Sequence, residues 1–215
     1  MLTPQVPVAR EGYPFIGLAA FITLLLAVCG YPVLTAIAFL VSLFVLAFFR
    51  DPERFVPPDD DALVSPADGK VISVEETEDA VFTKHRVCKI SIFMNVFNVH
   101  VNRIPFDGKV ESVLYRPGKF YSADSPKGGL ENEYCGTVIT TSAGQKLAFV
   151  QIAGLIARRI VCWLEPGDVI VKGRRFGLIR FGSRVDLYLP ADTAIQVAVG
   201  DKVRAGETVI GVLKK

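Results

Sequence analysis

The sequence predicts a mostly β domain, a sandwich or barrel with one or two minor helices, that follows an α-helical membrane hairpin. The segment 13–49 contains no charged residue. Beyond residue 62 the chain consists of short β-rich segments with partial alternation of apolar and polar residues, separated by Gly, Pro, Asp and Asn. A chain of 215 residues is long enough for one membrane anchor and one domain of ordinary size.

The hairpin is predicted from the length of the uncharged segment 13–49, which a Gly-Tyr-Pro break ending at Pro32 divides into two apolar halves. A spanning helix needs about 20 apolar residues, so two short helices fit, either crossing the bilayer or forming a re-entrant hairpin. Arg10 before the segment and Arg50 and Arg54 after it favour both ends, and hence the following domain, on the cytoplasmic face of the cell membrane. The alternative is a buried helical hairpin of a soluble core. A cleaved signal peptide is disfavoured, because the apolar stretch is too long.

A linker and one folded domain follow the hairpin. Residues 1–12 form an N-terminal segment, 13–49 the hairpin, 50–61 a Pro- and Asp-rich linker, and 62–215 the domain. The β-rich segments of the domain include GKVISVEE, HRVCKISIFM, NVHVNRI, GKVESVLY, RVDLYLP and AIQVAV. The segment LIARRIVCWL at 155–164 is the best candidate for a short helix.

A weak internal repeat refines the fold class. GDVIVKGRRFGLI begins at Gly167, and GDKVRAGETVIGV begins at Gly200. Each unit has a Gly-Asp turn, a short strand and a second Gly turn, which resembles the hammerhead hairpins of the biotinyl/lipoyl-like barrel-sandwich fold. No Lys occupies the tip position that carries biotin or lipoate, so a swinging arm is not supported.

Composition excludes several function classes. The net charge of +2 gives no basic field of the kind that nucleic-acid binding requires. The four cysteines form no C-x-x-C pair and have no His at metal-ligand spacing, so we expect no metal and no disulfide framework. Walker, dinucleotide-binding, H-E-x-x-H and G-x-S-x-G motifs are also absent from the sequence.

Only two histidines are present. His85 lies among charged residues at a strand start, where a solvated side chain is expected. If residues 96–101 alternate as a strand, Asn98 and His100 share one face. A structural role and an acid/base role are both open for His100 at this point.

Other polar residues have an ordinary interpretation beside a chemical one. Asp68 precedes a Gly and fits a turn. Glu131 and Glu133 are expected as exposed loop carboxylates. Arg158 and Arg159 either coat the surface or, near a membrane, bind lipid phosphate.

The pair Gly182-Ser183 lies between two strand patterns and on local evidence is a turn. Its surroundings resemble a family. The segments SPADGKV, FMNVFNVHVNRIPFDGKV, YRPGKF, ENE, QIAGLIARRIV and GRRFGLIRFGSRVDLYLP together resemble the short form of the phosphatidylserine decarboxylases, and their order and density over residues 62 to 190 make the match specific.

This resemblance implies a proenzyme that cleaves itself between Gly182 and Ser183 into a β chain, 1–182, and an α chain, 183–215. Ser183 would attack the Gly182 carbonyl, and elimination and hydrolysis would leave a covalent pyruvoyl cofactor at residue 183. That group would form a Schiff base with the amine of phosphatidylserine and withdraw electrons as CO₂ leaves, giving phosphatidylethanolamine.

By the same resemblance, His100 and Asp68 match an Asp–His pair that activates Ser183, and His100 would reprotonate the substrate carbon. The family's long form has a second His near Arg103, and its L-G-S-T motif is FGSR here. Arg158 or Arg159 would meet the lipid phosphate. The protein is further expected to be a membrane-bound homodimer that holds no metal and binds no nucleic acid. The alternatives are a decarboxylase of a related lipid such as archaetidylserine and a non-enzymatic membrane adaptor with a lipoyl-like domain.

Overall fold

A computed structural model describes residues 6–125, 128–155, 159–180 and 182–214. The chain divides into two compact units, Met1–Glu53 and Arg54–Lys215. The first unit is helical, and the second is built from strands.

The first unit contains a 3-10 turn, Arg10–Gly12, and two helices, α1 at Tyr13–Val28 and α2 at Pro32–Phe48. Both helices have a Pro in the first turn, where its missing N–H costs nothing. Most apolar side chains of the pair are solvent-exposed, which a stable helix in water avoids. The segment Arg10–Val28 is long and apolar enough to cross a membrane, whereas α2 is apolar but shorter, at 17 residues. The apolar N-terminal helix therefore supports association with a membrane.

The second unit confirms the prediction of a mostly β domain. Its strands are β1 (Ala62–Val64), β2 (Gly69–Glu78), β3 (Arg86–Met94), β4 (Val101–Arg103), β5 (Gly108–Arg116), β6 (Tyr134–Thr140), β7 (Lys146–Ala153), β8 (Ile160–Cys162), β9 (Val169–Ile170), β10 (Arg175–Ile179), β11 (Ser183–Pro190), β12 (Ala194–Ile195), β13 (Lys202–Val203) and β14 (Val209–Val212). Eight of them form one sheet in the order β13-β2-β3-β11-β7-β6-β5-β9. The described residues of the unit also form two three-stranded sheets, β1-β14-β12 and β4-β10-β8.

The eight-stranded sheet curls around one hydrophobic core. Val203 of edge strand β13 and Ile170 of edge strand β9 belong to the same buried cluster as Leu187 of central strand β11. Two opposite edges can share one core only if the sheet bends round it. The outer face of the sheet is covered near Phe82 and Tyr188, whose rings lie 5.1 Å apart. The two repeat units supply the two edges, β9 and β13.

The helix predicted at 155–164 is wrong where the structure describes it. Ile160, Val161 and Cys162 form β8, which pairs antiparallel with β10. Residues 156–158 lie outside the described residues. Ile160 and Cys162 pack against the core, and pairing with β10 satisfies the backbone of the segment, so tertiary contacts override the helical pattern. Across the described part of the second unit, no residue is helical, so the minor helices predicted there are not found.

Candidate active site

Three neighbouring strands bring the candidate residues together where the strands end, in the middle of the large sheet. Ser183, the first residue of β11, pairs with Met94 at the end of β3 and with Ala153 at the end of β7. Because β3 and β7 both run antiparallel to β11, the chain leaves both strands beside Gly182. We call this region, where β3 and β7 end and β11 begins, the site end.

Gly182 and Ser183 are held in an unusual local geometry. Gly182 has a φ of +70°, in the left-handed region that residues with a side chain rarely adopt. Ser183 is fully buried, and its Oγ donates to the Met94 Sδ at 3.4 Å. The local sequence therefore forms a bend into a strand, and this bend carries a buried hydroxyl directly after the Gly182 carbonyl.

Gly154 permits the close approach of the Gly182 carbonyl. A Cβ atom at position 154 would lie 2.3 Å from the Gly182 oxygen, far inside contact distance. Only Gly allows the end of β7 to pass so close to this carbonyl. Sequence analysis did not single out Gly154, because a lone Gly after a strand has many explanations.

His100 lies beside the same bond. The ring is 2% exposed, its Nδ1 is 3.0 Å from the Asn98 carbonyl oxygen, and its Nε2 accepts from the Gly182 N–H at 3.4 Å. Nδ1 faces a carbonyl oxygen, which can only accept, and Nε2 faces an N–H, which can only donate. The proton is therefore assigned to Nδ1 and a lone pair to Nε2. The buried His100 thus presents an unprotonated nitrogen to the Gly182–Ser183 segment.

The strand predicted at 96–101 is not formed as a whole, since β4 begins only at Val101. Residues 95–98 form a turn in which the Asn98 N–H donates to the Asn95 carbonyl at 3.0 Å. The Asn95 Oδ1 accepts from the Phe97 N–H, and the Asn98 Oδ1 accepts from the Asn95 N–H, each at 2.9 Å. Asparagine side chains that bond the local backbone compete with strand pairing, which explains the difference.

Asp68 is engaged elsewhere. Its Oδ2 accepts from the Arg54 Nη2 at 2.8 Å, and its Oδ1 accepts from the Ala205 N–H, also at 2.8 Å. The ion pair is nearly buried, with side-chain exposures of 8% for Arg54 and 12% for Asp68. The structure therefore brings Gly182, Ser183 and His100 together, but joins Asp68 to a different pair of segments.

The ENE segment is more buried than its sequence indicates. Glu131 is exposed and pairs with Lys119 at 3.3 Å, as expected. Glu133, expected on the surface, is only 9% exposed. Burial and the neighbouring Glu133 carboxylate raise the pKa of Tyr115. The expectation for Glu133 was wrong because the loop that carries it folds against the end of β7.

Asn132, between the two glutamates, ties that loop to the site. It is fully buried, and its Nδ2 donates to the Tyr121 and Ala153 carbonyls, each at 2.8 Å. Its Oδ1 accepts from the Tyr121 N–H at 2.8 Å. One amide thus fixes the loop before β6 to the residue that precedes Gly154.

Two buried amides extend the polar surroundings of Ser183. Gln151 and Ser183 lie on the core side of adjacent strands, two register positions apart. The Gln151 Nε2 donates to the Asn102 Oδ1 at 2.9 Å, and the Asn102 Nδ2 is 3.7 Å from the Met94 Sδ. Among the described residues, the Gln151 Oε1 finds no partner, although the side chain is 1% exposed. A polar residue inside an apolar strand, as in FVQIAG, is the signal that could have identified Gln151.

The candidate phosphate ligands are only partly described. Arg158 lies outside the described residues, and Arg159 is exposed. The Arg159 carbonyl accepts from the Arg180 N–H at 3.2 Å, which places Arg159 across from a residue two positions before Gly182. His85 is exposed, as expected. No three His, Cys, Asp or Glu side chains in the described ranges are grouped closely enough to hold a metal ion.

Comparisons with known proteins give consistent matches to one family. The family model described as phosphatidylserine decarboxylase matches residues 41–211. A protein named phosphatidylserine decarboxylase proenzyme from Desulfotalea psychrophila is 67% identical over 211 residues, 98% of this chain and 99% of the relative. Proteins of the same name from Geotalea uraniireducens and Syntrophotalea carbinolica are 49% and 52% identical, and each alignment covers at least 97% of both chains.

Proposed function

The chain belongs to the phosphatidylserine decarboxylase family, and we propose that it converts phosphatidylserine to phosphatidylethanolamine with a pyruvoyl group made from its own Ser183. Family membership at this identity makes it a decarboxylase and removes the non-enzymatic adaptor as an alternative. The observation that carries the proposed self-processing is the buried Ser183 hydroxyl directly after a left-handed Gly182, with His100 beside them.

Self-cleavage between Gly182 and Ser183 is the first proposed step. The Ser183 Oγ attacks the Gly182 carbonyl carbon, the peptide C–N bond breaks, and the released nitrogen takes up a proton. Loss of the Ser183 α-proton then breaks the Cβ–Oγ bond, so the Gly182 carboxylate leaves and dehydroalanine remains. After tautomerisation to an imine, water displaces ammonia and leaves a pyruvoyl group as the first residue of the α chain, 183–215. The β chain is then 1–182.

The surroundings of Ser183 fit such a group. The buried Gln151 Oε1 without a partner and its neighbour Asn102 give polar atoms on the core side next to residue 183. An acceptor left unpaired in a protein interior usually serves a ligand, a water or a reaction. The pyruvoyl group would supply an electron-accepting carbonyl for the loss of CO₂.

His100 is the proposed proton carrier. Its Nε2 lone pair faces the Gly182 N–H, so it can take the hydroxyl proton of Ser183 during cleavage and later return a proton to the substrate carbon. Hydrogen bonds of this kind are often long before the reacting geometry forms. Asp68 is proposed as a positioning residue, because its carboxylate bonds the Arg54 side chain and the Ala205 backbone.

The remaining parts of the proposal concern the substrate and its location. We propose that Arg159 or Arg158 binds the lipid phosphate. The protein is assigned to the cell membrane as a homodimer, with the second unit on the cytoplasmic face. The same site chemistry would accept archaetidylserine, so the choice of lipid is tested with both substrates. The two repeat units at the edges of the curled sheet support a barrel-sandwich arrangement related to the lipoyl domains.

Intact-mass spectrometry of the purified protein tests the proposal. We expect two chains, with the smaller beginning at a blocked residue 183, and release of CO₂ from phosphatidylserine. Ser183→Ala should remain one chain and be inactive, whereas the exposed Ser112→Ala should be processed normally. A wild-type protein that stays intact, or a Ser183→Ala variant that still splits at this bond, would refute the mechanism.

A further inference from the structure

Two large apolar side chains project into solvent at the site end. Phe97 is 73% exposed and lies three residues before His100. Leu155 is 65% exposed and directly follows Gly154, which approaches the Gly182 carbonyl. Each exposed side chain of this size forgoes the free energy that burial would give, so their placement beside the reacting bond calls for an explanation.

The exposure of Phe97 is built into its turn. The Asn95 Oδ1 accepts from the Phe97 N–H, and the Asn98 Oδ1 accepts from the Asn95 N–H, so two side chains fix the backbone at the tip. The Asn98 carbonyl also lies 3.0 Å from the His100 Nδ1, which joins the turn to the candidate active site. A structured turn that holds an aromatic ring outward is typical of a surface that meets a partner.

The loop between β5 and β6 adds two more apolar side chains at the same end, Phe120 and Leu130, each 38% exposed. This loop belongs to the site end because Tyr134, which follows it, pairs with Ile152 of β7. We define the site rim as Phe97, Phe120, Leu130 and Leu155.

The site rim is accompanied by positive charge. Arg116, the last residue of β5, and Arg159 are both exposed at the site end. The same loop carries two exposed carboxylates, Asp124, which accepts from the Ser122 hydroxyl, and Glu131, which is offset by Lys119 at 3.3 Å. Apolar side chains that enter the acyl region, with arginines at phosphate level, complement the surface of an anionic bilayer.

We propose that the site rim docks onto an anionic lipid bilayer, with Phe97 and Leu155 inserted among the acyl chains, as a membrane contact of the β unit in addition to the apolar helices. The proposal rests on the proposed function. A lipid substrate that reaches Gly182 and Ser183 exposes least of its acyl chains to water if the site end faces the bilayer. A second copy of the chain or another protein would also cover an apolar rim, and the experiment separates these occupants.

Tryptophan quenching tests the contact directly. Trp163 is the one Trp in the chain, so a Trp163→Phe background allows a single reporter. In the full-length protein reconstituted into phosphatidylglycerol vesicles, Phe97→Trp should fluoresce at shorter wavelength than in detergent, and lipids brominated on the acyl chains should reduce its emission about twofold or more.

The matched control is Val169→Trp in the same background. Val169 is 81% exposed and pairs with Lys109, seven residues along β5 from Arg116 and so about 23 Å from the site end. Its emission should not respond to brominated lipid. Equal responses at the two positions, or a blue shift of Phe97→Trp without bromine quenching, would overturn the proposal, and the latter would indicate a protein occupant.

Kinetics give a second test. The double variant Phe97→Ser with Leu155→Ser should raise KM for phosphatidylserine in vesicles about tenfold or more, and leave KM for a water-soluble short-chain phosphatidylserine within about twofold. Val169→Ser should change neither. An equal loss on both substrates would contradict docking and place the two residues in the catalytic step. Chain masses measured in the same samples report self-cleavage separately, so failure of the proposed function is distinguishable from failure of docking.

Discussion

Adding one methyl group at Gly154 should slow self-cleavage. In the Gly154→Ala variant, the new Cβ would lie 2.3 Å from the Gly182 carbonyl oxygen, which belongs to the peptide bond proposed to break. Carbon–oxygen contacts without a covalent bond settle near 3.3 Å or beyond. The end of β7 or the carbonyl must therefore move by about 1 Å, and neither atom belongs to a flexible side chain that could simply turn away.

The expected magnitudes follow from that displacement. A shift of about 1 Å in a reacting group costs roughly 100-fold in rate, so cleavage should slow by about two orders of magnitude. Overpacking of this kind also costs about 1–3 kcal/mol of stability. The effect on rate should thus exceed what partial unfolding of a domain of ordinary stability would cause.

The assay is a time course of freshly synthesised protein, in which the fraction of the two cleaved chains is read by denaturing gel or intact mass. Gly129→Ala is the control, because a Cβ there meets open space. Thermal unfolding in detergent checks that the uncut variant is folded. A folded Gly154→Ala protein that is cleaved as fast as the wild type would show that the close approach to the carbonyl plays no part in processing.

Three further predictions test other contacts. Asp186→Ala should lower the free energy of unfolding by about 3–5 kcal/mol, measured by denaturant titration. The Arg184 guanidinium, whose Nη2 is 2.8 Å from the Asp186 carboxylate, would stay buried without this negatively charged partner. Burial raises the pKa of Asp79, but hydrogen bonds from the following loop outweigh it and hold this pKa below the usual range of an aspartate. Its stabilising contribution is therefore complete above about pH 4 and disappears as pH falls through the lowered value, so the stability difference between wild type and Asp79→Asn should shrink on acidification. If Asp68 acts by positioning, Asp68→Asn and Arg54→Gln should slow cleavage by similar factors with unchanged pH profiles, whereas a shifted profile for Asp68→Asn alone would assign it a direct role in proton transfer.

The sequence was sufficient for features that depend on local pattern. Alternating apolar residues predicted the β unit, and the uncharged segment 13–49 predicted the helices. The family resemblance directed attention to Ser183 and His100, which the structure places together at the start of β11 and beside Gly182.

Other features depend on partners that are distant along the chain. Ile160 to Cys162 form a strand because β10 lies beside them, and nothing in the local pattern names that partner. Glu133 is buried because its loop folds against the end of β7, and the polar character of the ENE segment alone predicted an exposed side chain. Asp68 was expected beside His100, yet its hydrogen bonds go to Arg54 and Ala205, which lie 14 and 137 positions away in sequence.

The central position of β11 has a consequence for the lifetime of the mature protein. This strand is paired along its length with β3 on one side and along six residues with β7 on the other. Once the peptide bond before Ser183 is broken, only noncovalent pairing keeps the short C-terminal piece in place, and separated pieces would have to find each other to refold. Unfolding would then be a one-way event, so the working life of each molecule would be governed by its unfolding rate rather than by its equilibrium stability.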